Sequence, residues 1–162
     1  MLNTREALSA ALQGLVGQPC TAVSNPIGST IVIDIGDMRH VDDASAGHLQ
    51  GWRRITIGSP WRLQTVHRVI CDWNSDSSPD GELIASLAAL VGVRLDAISI
   101  SGPAWDMVTH WSNGYQLVVF SDSDDLREYS WFILGADGLE ITVSPKAAGD
   151  DTWRIKQPGG RS

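Results

Sequence analysis

The chain has 162 residues, and its 12 Lys and Arg against 19 Asp and Glu give a net charge of −7. That length suffices for one hydrophobic core, or for two half-domains that share one. Because no run of Lys or Arg exceeds two residues, the composition argues against a nucleic-acid partner, which requires a basic surface along the phosphates.

The sequence also predicts a cytoplasmic protein that makes no contact with a membrane. Its N-terminus has no basic segment followed by an apolar run, and no apolar stretch approaches the roughly 18 residues that span a bilayer. Cys20 and Cys71 stand singly and far apart. Free thiols in a reducing compartment are therefore expected rather than a disulfide.

The first half of the chain predicts one helix followed by strands. Apolar residues recur at helical spacing over 4–16, and Gly17 suits the end of that helix. A long polar connection over 36–51 separates the strands, and Pro60 breaks the chain again because it cannot donate to a sheet. The predicted strands are 20–24, 30–35, 52–57 and 61–70.

The second half repeats that order. Ser78-Pro79 begins an apolar helical stripe that ends at Gly92. Asn113-Gly114 and Asp137-Gly138 predict tight turns between strands. The predicted strands are 95–101, 105–111, 115–120, 131–134, 139–143 and 153–155.

Two sequence matches indicate an internal duplication. Seven residues within 12–24 match residues within 87–99 at a constant shift of 75. In addition, the run Ile55-Thr-Ile-Gly-Ser-Pro-Trp-Arg-Leu63 is echoed by Ile141-Thr-Val-Ser-Pro145 and then by Trp153-Arg-Ile155.

These matches predict an α+β fold built by duplication. Residues 1–76 and 77–162 would each form an antiparallel β-meander unit with one N-terminal helix. Neither unit is large enough to cover both faces of its sheet, so the two would pack about a pseudo-twofold axis into one globular domain.

Arg62 and Arg154 are the most interesting polar residues, since they follow Trp61 and Trp153 at the same place in the apparent repeat. Two symmetry-related guanidinium groups in one cleft would bind a carboxylate or phosphate through paired hydrogen bonds. The structural alternative is that each arginine stacks on a tryptophan of a neighbouring strand or caps backbone carbonyls.

His110 follows Asp106 by four residues in a predicted strand, so the two side chains share a face. This permits an acid–base pair, although an ordinary strand histidine is the alternative. The sequence contains no His-Glu-x-x-His, no cysteine pair and no Gly-x-Ser-x-Gly. It therefore predicts no metal site, no cofactor and no catalytic residue.

Two acidic segments suit contact with a protein partner. They lie in the predicted connections 37–51 and 121–128, where negative charge would steer a basic partner and exposed tryptophans would anchor it. The alternative for both is an ordinary solvated loop. The residues expected at the contact are Asp42, Asp43, Asp122, Asp124 and Asp125.

Several short motifs run through most of the chain. They are Pro60-Trp-Arg-Leu63, Leu90-Val-Gly92 followed by Ile98-Ser-Ile100, Trp105-Asp106, and the Asn113-Gly114 turn into 117–120. In these motifs the chain resembles a group of uncharacterised bacterial proteins of about this size. The resemblance implies no agreed activity and no catalytic residue. In size and acidic character the chain is also similar in type to bacterial toxin-immunity proteins.

The sequence thus predicts a non-catalytic protein-binding module, such as an immunity-type inhibitor of another protein. One alternative is a small anionic-ligand binder or weak enzyme at the junction of the two halves. Another is a homodimer or larger homo-oligomer that pairs exposed sheet edges. The residues of the ligand-binding alternative are Arg62, Arg154, His110, Trp61 and Trp153.

Overall fold

The computed structural model describes residues 5–41, 49–101, 104–121, 130–144 and 153–157. Within these ranges the chain is mostly antiparallel sheet with two small helices, so the predicted mixed α+β class is confirmed. The helices are α1 (Arg5–Gln13) and α2 (Glu82–Leu87), the second continued by a 3-10 turn over Ala88–Leu90. The strands are β1 (Cys20–Ile27), β2 (Thr30–His40), β3 (Leu49–Ile57), β4 (Trp61–Gln64), β5 (Val69–Asp72), β6 (Leu95–Ser101), β7 (Asp106–Trp111), β8 (Gln116–Val119), β9 (Trp131–Gly135), β10 (Glu140–Val143) and β11 (Trp153–Lys156).

The strands form two sheets, and each half of the chain contributes to both. The six-stranded sheet has the order β1-β2-β3-β9-β10-β11, and the five-stranded sheet has the order β5-β4-β8-β7-β6. The meander β1-β2-β3 is therefore extended by the β9-β10 hairpin from the second half. In return, the β4-β5 hairpin of the first half extends the meander β6-β7-β8.

This exchange of hairpins corrects the prediction of two self-contained meander units. After β3 the segment Gly58-Ser59-Pro60 ends the strand, because proline has no N–H to donate. The chain then resumes as β4 in the other sheet. Backbone hydrogen bonds at the two crossings, from Gly58 N–H to Ser130 O and from Phe120 N–H to Pro60 O, are 2.9 and 2.8 Å long.

Matched hydrogen bonds join the starts of β1 and β6. The N–H of Gly17 donates to Leu95 O at 2.8 Å, and the N–H of Gly92 donates to Cys20 O at 2.7 Å. Both glycines have positive φ, at 92° and 84°, a conformation that other residues adopt only with strain. Each donor and acceptor of one bond lies 75 residues from its counterpart in the other.

The two hairpins that follow have the same register and the same irregularity. In each, one residue near the start of the first strand has no partner opposite, as in a β-bulge. The corresponding cross-strand pairs are Cys20–Ile35 with Leu95–Trp111, Ala22–Asp34 with Ala97–His110, and Val23–Ile33 with Ile98–Thr109.

A single hydrophobic core lies between the sheets and helices. α1 contacts β6, whereas α2 contacts β5 and β1, so each helix packs on strands from the other half. Burial of each leucine contributes about 1.5–3 kcal/mol, which ties the halves together. The buried leucines of the two helical segments are Leu8, Leu12 and Leu15 in the first and Leu83, Leu87 and Leu90 in the second.

The two cysteines are buried free thiols. Burial raises the pKa of Cys20 to about 12 and that of Cys71 to about 11, although a hydrogen bond with Ser86 lowers the latter in part. Neither thiol is therefore poised as a nucleophile near neutral pH. None of the described helices has both the length and the apolar character that crossing a membrane requires.

Candidate functional site

Polar side chains gather on the outer face of the five-stranded sheet. Along β4, Trp61 and Leu63 point into the core, with 1% and 0% of their surface exposed. Because alternate residues of a strand point to opposite faces, Arg62 and Gln64 lie on the outer face and are half-buried.

This face is crossed by two rows of neighbouring side chains. In one row Gln64 lies opposite Gln116 on β8, which lies opposite His110 on β7. In the other row Arg62 lies opposite Val118. All five side chains are half-buried. We use the name polar row for the four polar side chains of these two rows taken together: Arg62, Gln64, Gln116 and His110.

Hydrogen bonds fix three members of the polar row relative to one another. Arg62 Nε donates to Gln64 Oε1 at 2.6 Å, and Gln64 Nε2 donates to Gln116 Oε1 at 3.0 Å. The guanidinium carbon of Arg62 also lies 5.3 Å from the centre of the Phe120 ring, within the range of a cation–π contact. The row is thus an ordered array in which both amide orientations are defined.

Arg62 has no carboxylate within 4.0 Å among the residues that the structure describes. Its cross-strand neighbour on β5 is Asp72, but Asp72 Oδ1 instead accepts the N–H of Asn74 at 2.9 Å. The outer face therefore presents a half-buried guanidinium group that no carboxylate among the described residues contacts directly, although Asp72 lies opposite it on β5.

In the six-stranded sheet, the β2–β3 pair carries an ion pair at the register position that His110 and Gln116 occupy in the β7–β8 pair. Asp34 faces Arg54 across β2 and β3, as His110 faces Gln116 across β7 and β8. The Asp34 carboxylate accepts Arg54 Nε at 2.8 Å and Arg54 Nη2 at 3.0 Å, together with the N–H of Gly51 at 3.0 Å. Here the chain supplies both the arginine and its anion.

The strand order separates the two Trp-Arg segments that the sequence places at equivalent positions. Trp61 and Arg62 lie in β4, between β5 and β8, whereas Trp153 and Arg154 lie in β11, at the edge of the other sheet. Arg62 and Arg154 therefore belong to different sheets, and the cleft in which the two would face each other stays a prediction. Arg154 is exposed.

Trp131, the first residue of β9, has a setting similar to that of Trp61, the first residue of β4. Both side chains are buried, and both indole N–H groups donate to a backbone carbonyl: Trp61 to Ser29 O at 2.8 Å, and Trp131 to Trp105 O at 3.1 Å. Both acceptors precede the second strand of a meander. The sequence feature that could have indicated this similarity is the aliphatic residue two positions after each tryptophan, Leu63 and Ile133.

His110 and Asp106 share the outer face of β7, as the alternation predicts. Four residues of strand nevertheless separate them by roughly 13 Å, too far for a direct acid–base pair. Asp106 Oδ1 instead accepts the N–H of Ser121 at 2.7 Å and fixes the end of β8.

The residues predicted to contact a partner lie outside the described residues: Asp42, Asp43, Asp122, Asp124 and Asp125. In the described part of the chain, no group of three or more His, Cys, Asp or Glu is placed to hold a metal ion. The polar row is therefore the best-defined candidate site among the described residues.

Comparison of the chain with protein families, curated proteins and solved structures gave no match. The case for a function thus depends on the geometry of the site.

Proposed function

We propose that the chain is a non-catalytic protein-binding module, of the immunity-inhibitor type, and that its partner docks on the outer face of the five-stranded sheet. The observation that carries this proposal is the ordered polar row beside Val118 and Phe120. Arginine and aromatic side chains are enriched at protein interfaces and often dominate their affinity. Side chains already held by hydrogen bonds lose less freedom on binding.

The charge of the chain supports a partner with a mixed surface. At a net charge of −7, the protein as a whole would attract basic proteins and raise their rate of association. The segment that carries Asp122, Asp124 and Asp125 follows β8 directly, and β8 contributes Gln116 to the polar row. A basic partner that also presents an acidic side chain to Arg62 would therefore suit the chain. Two free thiols support the cytoplasm as its location.

We also propose that residues 1–76 and 77–162 arose by duplication and are related by a pseudo-twofold axis. The hydrogen bonds repeated at a shift of 75 residues, the common hairpin register and the reciprocal exchange of hairpins all support this relationship. In this arrangement β3 corresponds to β8 and β4 to β9, while β11 has no counterpart.

A second candidate function is the binding of a small anion, with or without weak catalysis. It is favoured by one observation, the placement of Arg62 and His110 on the same sheet face. Strand spacing and the residue offset put their Cα atoms roughly 12 Å apart, and Gln116 lies between them. Arg154 and Trp153, on the other sheet, have no part in this version.

The test of protein binding uses one variant that blocks the face and one matched control. Val118→Arg places a bulky charge in the middle of the outer face, whereas Thr142→Arg makes the corresponding change on the outer face of the six-stranded sheet. Each tagged protein is used to capture partners from its native cells, and native mass spectrometry measures the stoichiometry. Circular dichroism verifies that both variants fold.

We expect a stoichiometric partner with the wild type and with Thr142→Arg, and none with Val118→Arg. A partner that still binds Val118→Arg would show that docking occurs elsewhere. If the wild type captures no stoichiometric partner, protein binding is wrong and the small-anion alternative takes its place.

A further inference from the structure

We propose that the polar row recognises a carboxylate, supplied by an Asp or Glu side chain of the protein partner and held chiefly by Arg62 and Gln116. This inference rests on the proposed function, since it names the group by which that partner is bound.

The direction of the hydrogen bonds in the polar row determines which chemistry faces outward. Gln64 Oε1 accepts from Arg62 and Gln116 Oε1 accepts from Gln64. The amide oxygens are thus engaged within the row. Apart from His110, whose ring can donate or accept, the groups left are the Nη groups of Arg62 and the Nε2 group of Gln116, N–H donors that have no acceptor among the described residues. A complementary ligand must therefore offer acceptors.

The geometry of Arg62 favours a carboxylate among possible acceptors. Because Nε is bound to Gln64 and the guanidinium group is held near Phe120, the two Nη groups remain at the free end. Two parallel N–H groups match the two oxygens of a carboxylate, and a charged pair of this kind is stronger than a neutral hydrogen bond.

The molecule contains a template for such a contact. On the six-stranded sheet, the carboxylate of Asp34 is held by two nitrogens of Arg54 and one backbone N–H. In the five-stranded sheet the register position of Asp34 is taken by His110. Gln116 likewise takes the register position of Arg54, so the five-stranded sheet has neither member of that pair there, and the pair shows the geometry that an arginine and a carboxylate adopt on a sheet face.

The inference is tested by NMR of the side-chain N–H groups in 15N-labelled protein. Three probes are titrated: glutarate, the peptide acetyl-Gly-Glu-Gly-amide and its Gln counterpart. We expect saturable shifts of the Arg62 Nε–H and of the Gln64 and Gln116 amide resonances with the first two probes only. Equal shifts with the Gln peptide, or none with the Glu peptide, would overturn the inference.

Variants identify the responsible group. Arg62→Met should abolish the saturable shifts, and Arg62→Lys, which keeps the charge but not the paired N–H groups, should weaken them. The control is Arg94→Met, because Arg94 is exposed and already paired with Asp96 at 2.9 Å. A response that Arg62→Met and Arg94→Met change equally would contradict the assignment.

The same variants separate this inference from the proposed function. If Arg62→Met captures the protein partner as well as the wild type does, while Val118→Arg does not, protein binding stands and carboxylate recognition is overturned. If glutarate shifts the polar row but the wild type captures no partner, the proposed function fails, and a free carboxylate replaces the partner's side chain.

Discussion

Two ion pairs of nearly equal length allow a buried, doubly hydrogen-bonded pair to be compared with an exposed pair within one molecule. Arg54 and Asp34 are 2.8 Å apart, with 19% and 6% of their side-chain surface exposed. Arg94 and Asp96 are 2.9 Å apart, with 60% and 42% exposed. The two pairs differ in access to solvent and also in hydrogen bonding, because Asp34 accepts Nε and Nη2 of Arg54 and the N–H of Gly51, whereas Asp96 accepts Nε of Arg94.

Asp34→Asn should destabilise the protein by about 2–3 kcal/mol. Removing one partner of a buried pair costs about 3–5 kcal/mol because the other charge is left uncompensated. The lower figure applies here because Arg54 retains some solvent, and an asparagine oxygen can still accept the N–H of Gly51. Asp96→Asn should cost no more than about 0.5 kcal/mol, as for other exposed pairs.

Urea denaturation followed by tryptophan fluorescence measures both changes. With a slope of about 1–3 kcal/mol per molar urea, the midpoint for Asp34→Asn should fall by roughly 0.7–3 M. The double variant Asp34→Leu/Arg54→Met should recover much of the loss, since it removes both charges. Equal losses for Asp34→Asn and Asp96→Asn would refute the argument from burial.

Three further outcomes are expected. Gly17→Ala and Gly92→Ala should each lower the free energy of unfolding by about 1 kcal/mol in the same urea assay, because both glycines have positive φ. A large difference between the two losses would contradict the structural equivalence of the two positions. The two thiols, with pKa values of about 12 and about 11, should react with a disulfide reagent at pH 8 only after unfolding in urea, and rapid native reaction would show that they are accessible. Burial raises the pKa of Asp137, but hydrogen bonds from Arg53 and Leu139 outweigh it and bring the pKa below 3.8. Its stabilising contribution is therefore present above pH 3.8 and lost as the pH falls through the folded pKa, so Asp137→Asn should destabilise at pH 7 but have little effect on the urea midpoint at strongly acid pH.

Local periodicity predicted the elements of the fold better than their arrangement. The helical leucine stripes and most strand positions followed from spacing alone, although β2 runs on to His40, beyond the predicted 30–35. The exchange of hairpins had no local signal, because pairing of β3 with β9 depends on contacts between residues far apart in the chain. A strand's alternation indicates which face is buried but not which strand lies beside it.

For the candidate site too, the sequence predicted which side chains face outward but not which of them lie together. Strand alternation places Arg62 and His110 on outward faces, but Gln64 and Gln116 belong to no motif and were missed. The turn at Asn113-Gly114 was the available signal, since a tight hairpin there sets His110 opposite Gln116. Arg154 was paired with Arg62 because similar residue types, rather than equivalent strand positions, were matched.

If the halves are copies, as proposed, the positions where they differ indicate where function resides. Buried positions tolerate little change, because a cavity or an added methylene costs stability, and both helical segments keep leucines at equivalent places. The outer face of the five-stranded sheet is less constrained, because the residues of the polar row are only half-buried, whereas Asp34 on the other sheet is buried. At these register positions one copy holds the closed pair of Asp34 and Arg54, whereas the other holds His110 and Gln116 beside an arginine that no described carboxylate contacts. Burial explains the closed pair, since a buried carboxylate needs a partner, whereas recognition of a protein partner would explain the polar row on the other sheet.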